Sequence, residues 1–179
     1  MVYMFLAEGF EEVEALCPLD ILRRAGVKVK TVGVGSKNIC GAHNICVATD
    51  ITIDEFCDNE PEMIILPGGM PGTLNLDGCA TVHCTIDSAV KCNAYIAAIC
   101  AAPSILGKRD LLVGKEAICY PGFESTLNGA KISEKRVVTD GKIITAAGMG
   151  VALDFALVLV KLLCGTDKAE EIKKSILAD

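Results

Sequence analysis

Tyr95-Ile96-Ala97-Ala98-Ile99-Cys100-Ala101-Ala102-Pro103-Ser104 is an apolar run that ends abruptly in a cysteine and continues in small residues. The pattern predicts a buried strand that turns sharply into a helix, with Cys100 on the turn. Such an elbow pushes the side chain out of the sheet and brings the first backbone N–H groups of the helix within reach of its sulfur or of a bound oxyanion. A helix N-terminus favours thiolate over thiol, so the placement also predicts a lowered thiol pKa. Free cysteine is equally among the most buried residue types, and a plain core role fits the position taken by itself.

On either side of this elbow the chain alternates strand and helix patterns. Val2 to Ala7 reads as a short strand, followed by a helix from about Glu11 to Ala25 that stops at Gly26. Val27 to Val34 alternates valine with lysine, which predicts a strand near a sheet edge. Asn38 to Asp54 reads as a hairpin or excursion. Met63 to Leu66 is a buried-type strand ending in Pro67-Gly68-Gly69, and a helical pattern from about Ala80 to Asn93 leads back to the cysteine strand. Beyond a short helix to about Leu106, Asp140-Gly141 marks a hairpin between strands around Arg136–Thr139 and Lys142–Ala146. Two helices, Val151 to Leu163 and about Lys168 to Leu177, close the chain. This alternation implies an α/β fold with a mainly parallel sheet and helices on both faces, in one domain spanning residues 1–179.

Composition narrows the function. Seventeen basic residues against twenty-three acidic, and only eight aromatics, argue against a nucleic-acid groove or a membrane patch. No apolar stretch approaches membrane-spanning length, and no leader pattern opens the chain. Ten cysteines are scattered through periodic segments without a CxxC, so the chain reads as a reduced, cytoplasmic protein rather than a disulfide scaffold. The first predicted helix has two apolar stripes: Phe10, Val13, Cys17 and Ile21 within about 80° of each other, and Ala15, Leu16, Leu19 and Leu22 on another arc. Either a second subunit or deep burial accounts for the extra stripe.

A reactive cysteine needs a proton acceptor, most often histidine. The two histidines, His43 and His83, are not tied by sequence to the elbow, so a Cys-His-Asp triad is unsupported. Glu11, Glu12 and Glu14 begin the helix after the first strand, at the sheet end where the elbow and Pro67-Gly68-Gly69 also lie, and three segments thereby converge on one crevice. Glu12 and Glu14 point to different sides of the helix. Any of these glutamates also fits a simple interaction with the helix dipole. Gly68 and Gly69 present backbone N–H groups suited to an oxyanion, or form an ordinary turn. Cys79 and His83, four apart on a helix, are too few for a zinc site. The acidic first turn, Glu8 to Glu12, would repel a flavin phosphate, so no cofactor and no metal is expected.

The segments Leu6-Ala7-Glu8-Gly9-Phe10-Glu11-Glu12-Val13-Glu14, Asp20 to Gly26, Leu66-Pro67-Gly68-Gly69, Ala97-Ala98-Ile99-Cys100-Ala101-Ala102-Pro103 and Asp154-Phe155-Ala156-Leu157 together resemble the ThiJ/PfpI superfamily, in particular its parkinsonism-associated deglycase (DJ-one) branch. The resemblance spans nearly the whole chain. It implies a flavodoxin-like doubly wound fold, a homodimer, Cys100 as the reactive cysteine, and Glu14 as a protonated glutamate beside it. It places Gly68, Gly69 and the Ala101 N–H around the oxyanion. Many relatives carry a histidine in the segment matching Cys119-Tyr120-Pro121. Tyr120 stands there instead, a candidate for the substrate pocket but a poor base near neutral pH. The protease-like branch places histidine directly after the cysteine, where this chain has Ala101, so a peptidase reading loses its base.

The resemblance implies a cofactor-independent glyoxalase or deglycase acting on methylglyoxal-like dicarbonyls or their early protein adducts. The alternative is an oxidative-stress sensor in which Cys100 becomes a sulfinate held by Glu14 and the helix N-terminus.

Overall fold

A computed structural model describes residues 1–57 and 60–178. The order is β1 (Val2–Ala7), α1 (Glu12–Arg24), β2 (Val29–Val34), β3 (Asn38–Cys40), β4 (Cys46–Ala48), β5 (Ile51–Thr52), β6 (Met63–Leu66), α2 (Gly72–Asp77), α3 (Ala80–Lys91), β7 (Tyr95–Ile99) and α4 (Pro103–Gly107). It continues with β8 (Glu116–Ala117), β9 (Lys131–Ile132), β10 (Val137–Asp140), β11 (Ile143–Ala146), α5 (Ala152–Cys164) and α6 (Thr166–Ser175). The main sheet runs β10-β11-β7-β6-β1-β2-β5 and is parallel apart from β10. The mainly parallel α/β expectation holds, and β2 lies one strand from the edge.

Period-two alternation divides the core. Val2, Met4 and Leu6 of β1 point to the face covered by α1, α5 and α6. Tyr3, Phe5 and Ala7 point to the other face, with Val82, Ile86 and Ala89 of α3 and Ile105 and Leu106 of α4. Both faces being apolar explains why the central strands read as unbroken hydrophobic runs.

Two local features depart from the sequence reading. The short helix α2 is hidden among turn-forming residues, with Pro71 at its N-cap and Gly78 at its C-cap, and has no side-chain cap. Cys40 and Cys46, paired across the β3–β4 hairpin, are joined by a disulfide, which corrects the expectation of a fully reduced chain. The partnership depends on hairpin register, which brings together residues six apart that no CxxC pattern connects.

Within α1, Ala15, Ile21 and Leu22 are buried and Leu16, Cys17 and Leu19 half-buried, while Val13 remains exposed. Burial within one chain thus accounts for most of both stripes but not for Val13. No helix among the described residues is long and apolar enough to cross a membrane.

Candidate active site

Parallel strands aim their C-terminal ends at one edge of the sheet, and the turns after β1, β6, β7 and β11 meet there. Cys100 follows β7 with φ +66°, a left-handed conformation that non-glycine residues seldom adopt. The turn is fixed from both sides: the Cys100 N–H donates to Ala146 O at 2.9 Å, and its carbonyl accepts from the Tyr120 N–H at 2.8 Å. The side chain emerges half-buried on the side of α1.

Glu14 lies in the first turn of α1, whose N-cap Glu11 accepts the Glu14 N–H at 2.7 Å. Its side chain is buried, accepts the Gly68 N–H at 3.0 Å and hydrogen-bonds the Cys100 thiol. Gly68 is the hinge of this arrangement. A Cβ there would stand 2.5 Å from Glu14 Oε2 and 2.6 Å from Cys100 Cβ, so only glycine lets the three segments close on one another. The Gly68 N–H is therefore engaged by Glu14, whereas the N–H groups of Gly69 and Ala101 point to the Cys100 sulfur.

Burial pushes Glu14 up to about 7, with help from the charge of Glu11, against the lowering pull of Cys100, Gly68 N–H and Met149 N–H. Cys100 is pushed up to about 12, first by burial and then by the Glu14 charge, although two N–H groups favour its thiolate. This overturns the lowered thiol pKa expected from the elbow. The helix at its C-terminal side, α4, has only five residues, and its weak dipole is outweighed by desolvation and a neighbouring carboxylate. Both rises express one fact: the pair resists carrying two negative charges, so near neutral pH the sulfur keeps its proton while the carboxyl is present in both protonation states. The neighbouring Cys119 is also pushed up, to about 11, by burial, and it packs on the opposite face of the sheet.

The turn after β11 also borders the Glu14 carboxyl. A Cβ on Gly148 would lie 3.3 Å from the Tyr120 ring and 3.8 Å from Glu14 Oε1, and the next N–H, of Met149, faces Glu14. Tyr120 thus borders the site with its ring half exposed. Gly148 and Met149 were missed by sequence reasoning; the signal was Gly148-Met149-Gly150 placed directly after a strand that neighbours β7.

The histidines stand elsewhere. His43 Nδ1 lies 2.8 Å from Glu12 Oε2, and the buried Glu12 also accepts the His43 and Ile45 N–H groups, so Glu12 holds a loop while Glu14 faces the thiol. His83 Nε2 bonds Asp77 O at 2.6 Å and its Nδ1 meets Arg109 at 2.9 Å, leaving neither ring nitrogen for a metal shared with Cys79. A separate cavity of about 360 Å³, lined by Val90, Ile96, Leu111 and Lys142 among others, opens at the N-terminal ends of β7 and β11, away from the cysteine.

A cysteine elbow on a flavodoxin-like sheet, paired with a buried glutamate and faced by backbone donors, defines a class of thiol-bearing α/β proteins. The model of the DJ-1/PfpI family matches residues 1–162, and the chain belongs to that family. It is 33% identical over 177 residues to Protein dj-1beta of Drosophila melanogaster, covering 97% of this chain and 95% of that one. It is 29% identical over 170 residues to the glutathione-independent glyoxalase DJR-1.2 of Caenorhabditis elegans, covering 94% and 91%. Among solved structures, a DJ-1 superfamily protein from Salmonella typhimurium superposes with a TM-score of 0.95 at 31% identity, covering 99% of this chain and 98% of that one.

Proposed function

We propose that this chain is a cofactor-independent glyoxalase or deglycase that uses Cys100 on methylglyoxal-like dicarbonyls or their early adducts with protein groups. The observation that carries the reading is the buried Glu14 carboxyl hydrogen-bonded to the Cys100 thiol, whose sulfur also faces the Gly69 and Ala101 N–H groups. The Glu14 carboxylate takes the thiol proton as sulfur attacks the aldehyde carbon, and the resulting oxyanion lies against the N–H groups of Gly69 and Ala101. Protonation gives a hemithioacetal. Glu14 then removes the proton from the former aldehyde carbon and, through an enediol, a proton returns to the adjacent carbon. One carbon is oxidised and its neighbour reduced, which leaves a thioester of a 2-hydroxy acid with no external oxidant. Water hydrolyses it and restores the thiol. A group titrating near 7 is present in both protonation states at neutral pH, as a two-way relay requires. Tyr120 lines the substrate pocket and donates a hydrogen bond there.

Supporting evidence for the substrate class is the C. elegans relative's name as a glutathione-independent glyoxalase. The test is lactate formation from methylglyoxal without glutathione. Cys100→Ser and Glu14→Gln are expected to lose turnover while remaining folded, and undiminished turnover in Cys100→Ser would refute the assignment. The convergence of two N–H groups on the sulfur also favours a second reading, in which a Cys100 sulfinate is the functional product; graded peroxide would then oxidise Cys100 ahead of the exposed Cys84 and Cys164. The proposal includes a homodimer, for which exposed Val13 and half-buried Leu16 and Cys17 supply an apolar face on α1. A monomer in sedimentation at micromolar concentration would remove the dimer.

A further inference from the structure

The β3–β4 hairpin closes on itself and is bolted to the active-site turn. The Gly9 N–H donates to Cys40 O at 2.8 Å, the Cys40 N–H reaches the Glu8 carboxylate at 3.2 and 3.3 Å, and the Ala42 N–H donates to Phe10 O at 2.8 Å. Buried Glu12 grips the same loop from α1 through the His43 and Ile45 N–H groups. A Cβ on Gly41 would stand 2.4 Å from the Glu12 carboxylate, so the loop backbone lies hard against it. On its other side the Gly9–Glu11 turn presses on the glycines that face Cys100: Glu11 N–H donates to Gly68 O at 2.9 Å, and a Cβ on Gly69 would lie 2.3 Å from Glu11 N. The physical sequence from the Cys40–Cys46 bond to the candidate site is thus hairpin loop, first βα turn, glycine pair, thiol.

The bond also lies in an unusual place for a structural staple. It spans six residues in a hairpin already held by its own ladder, so the chain entropy it removes is small beside the two-sided core. Cys46 is exposed, where a small thiol can attack.

We propose that Cys40 and Cys46 are a reversible dithiol–disulfide couple, exchanged by low-molecular-weight thiols, whose oxidised form holds Glu14 and Cys100 in their reactive arrangement. Reduction begins when a small thiolate attacks Cys46 Sγ; the S–S bond breaks and Cys40 leaves as a thiolate that takes up a proton. A second thiol resolves the mixed disulfide. The disulfide gains two electrons and two protons, and two thiols become one small-molecule disulfide. Opening the link frees the loop, relaxes the Gly9–Glu11 turn and loosens the glycine pair against the thiol. The proposal rests on Cys100 being the reactive thiol, and not on its substrate.

The test uses the full chain equilibrated with reduced glutathione or glutathione disulfide, then desalted. Peptide mass mapping reads the Cys40–Cys46 link, and timed iodoacetamide labelling reads Cys100, with Cys84 and Cys164 as exposed references. The link should form under glutathione disulfide and disappear under reduced glutathione, with Cys100 labelling about fivefold slower in the reduced protein and the references unchanged. The double variant Cys40→Ser/Cys46→Ser should label at the slow rate whatever the glutathione state. Absence of the link at every glutathione ratio would overturn the proposal, as would equal Cys100 labelling in linked and reduced native protein, a comparison independent of how the variant folds. Redox-dependent labelling without lactate formation would sink the proposed activity and leave this couple standing; the reverse would sink the couple alone.

Discussion

Replacing Glu14 by glutamine removes one ionisable group from the centre of the site while keeping its size and an oxygen for the Gly68 N–H. In the folded chain burial and the Glu11 charge lift this carboxyl from 4.5 to about 7. The folded state therefore binds the proton more tightly than the unfolded chain does. The resulting stabilisation is fully present below about pH 4.5 and is lost as pH rises through about 7. A shift of that size in a residue only 1% exposed corresponds to about 3 kcal/mol. Glu14→Gln lacks this titration, so the native protein should lose up to about 3 kcal/mol relative to the variant between those pH values. Urea unfolding of both proteins across the range isolates the effect, since every other titrating group is shared and cancels. Parallel stability curves would refute the reasoning, because they would mean that the carboxyl titrates in the folded chain as it does in the unfolded one.

Gly68→Ala forces a methyl group into the space between Glu14 Oε2 and Cys100 Cβ; it should cost about 1–3 kcal/mol in thermal or urea unfolding and most of the Cys100 alkylation rate. His43 is raised from its usual value by its hydrogen bond to Glu12, so it contributes stability below pH 6.5 that is lost as pH rises through its folded pKa. The native protein's stability advantage over His43→Ala should therefore be widest below about pH 6.5 and shrink as pH rises through that folded pKa, and an unshifted His43 titration by NMR would contradict this. Tyr120→His puts a base that titrates near neutrality beside Gly148 and should raise dicarbonyl turnover about tenfold, visible in lactate formation near pH 7.

Much of this architecture could be read from residue patterns because burial on both faces leaves unambiguous apolar runs. Val2–Ala7, Met63–Leu66 and Tyr95–Ile99 are such runs, and the elbow at Cys100 and the convergence of Glu14 with Gly68 follow from where parallel strands end. What escaped the sequence depends on distances. The division of labour between Gly68, held by Glu14, and Gly69, facing the sulfur, is a matter of which N–H points where. The raised pKa of Cys100 comes from its burial and its nearness to a carboxylate eighty-six positions away in the chain, which outweigh the elbow's local dipole. The Cys40–Cys46 bond required the register of β3 on β4, and α2 was masked by proline and glycine at its ends.

The most direct test of the central claim is rapid-quench mass spectrometry of the protein with methylglyoxal in glutathione-free buffer. The account predicts one covalent adduct on Cys100 that forms and decays at the rate of lactate release and is absent from Cys100→Ser. Lactate released with Cys100 never modified, or adducts on exposed cysteines such as Cys84 and Cys164 while Cys100 stays free, would contradict it.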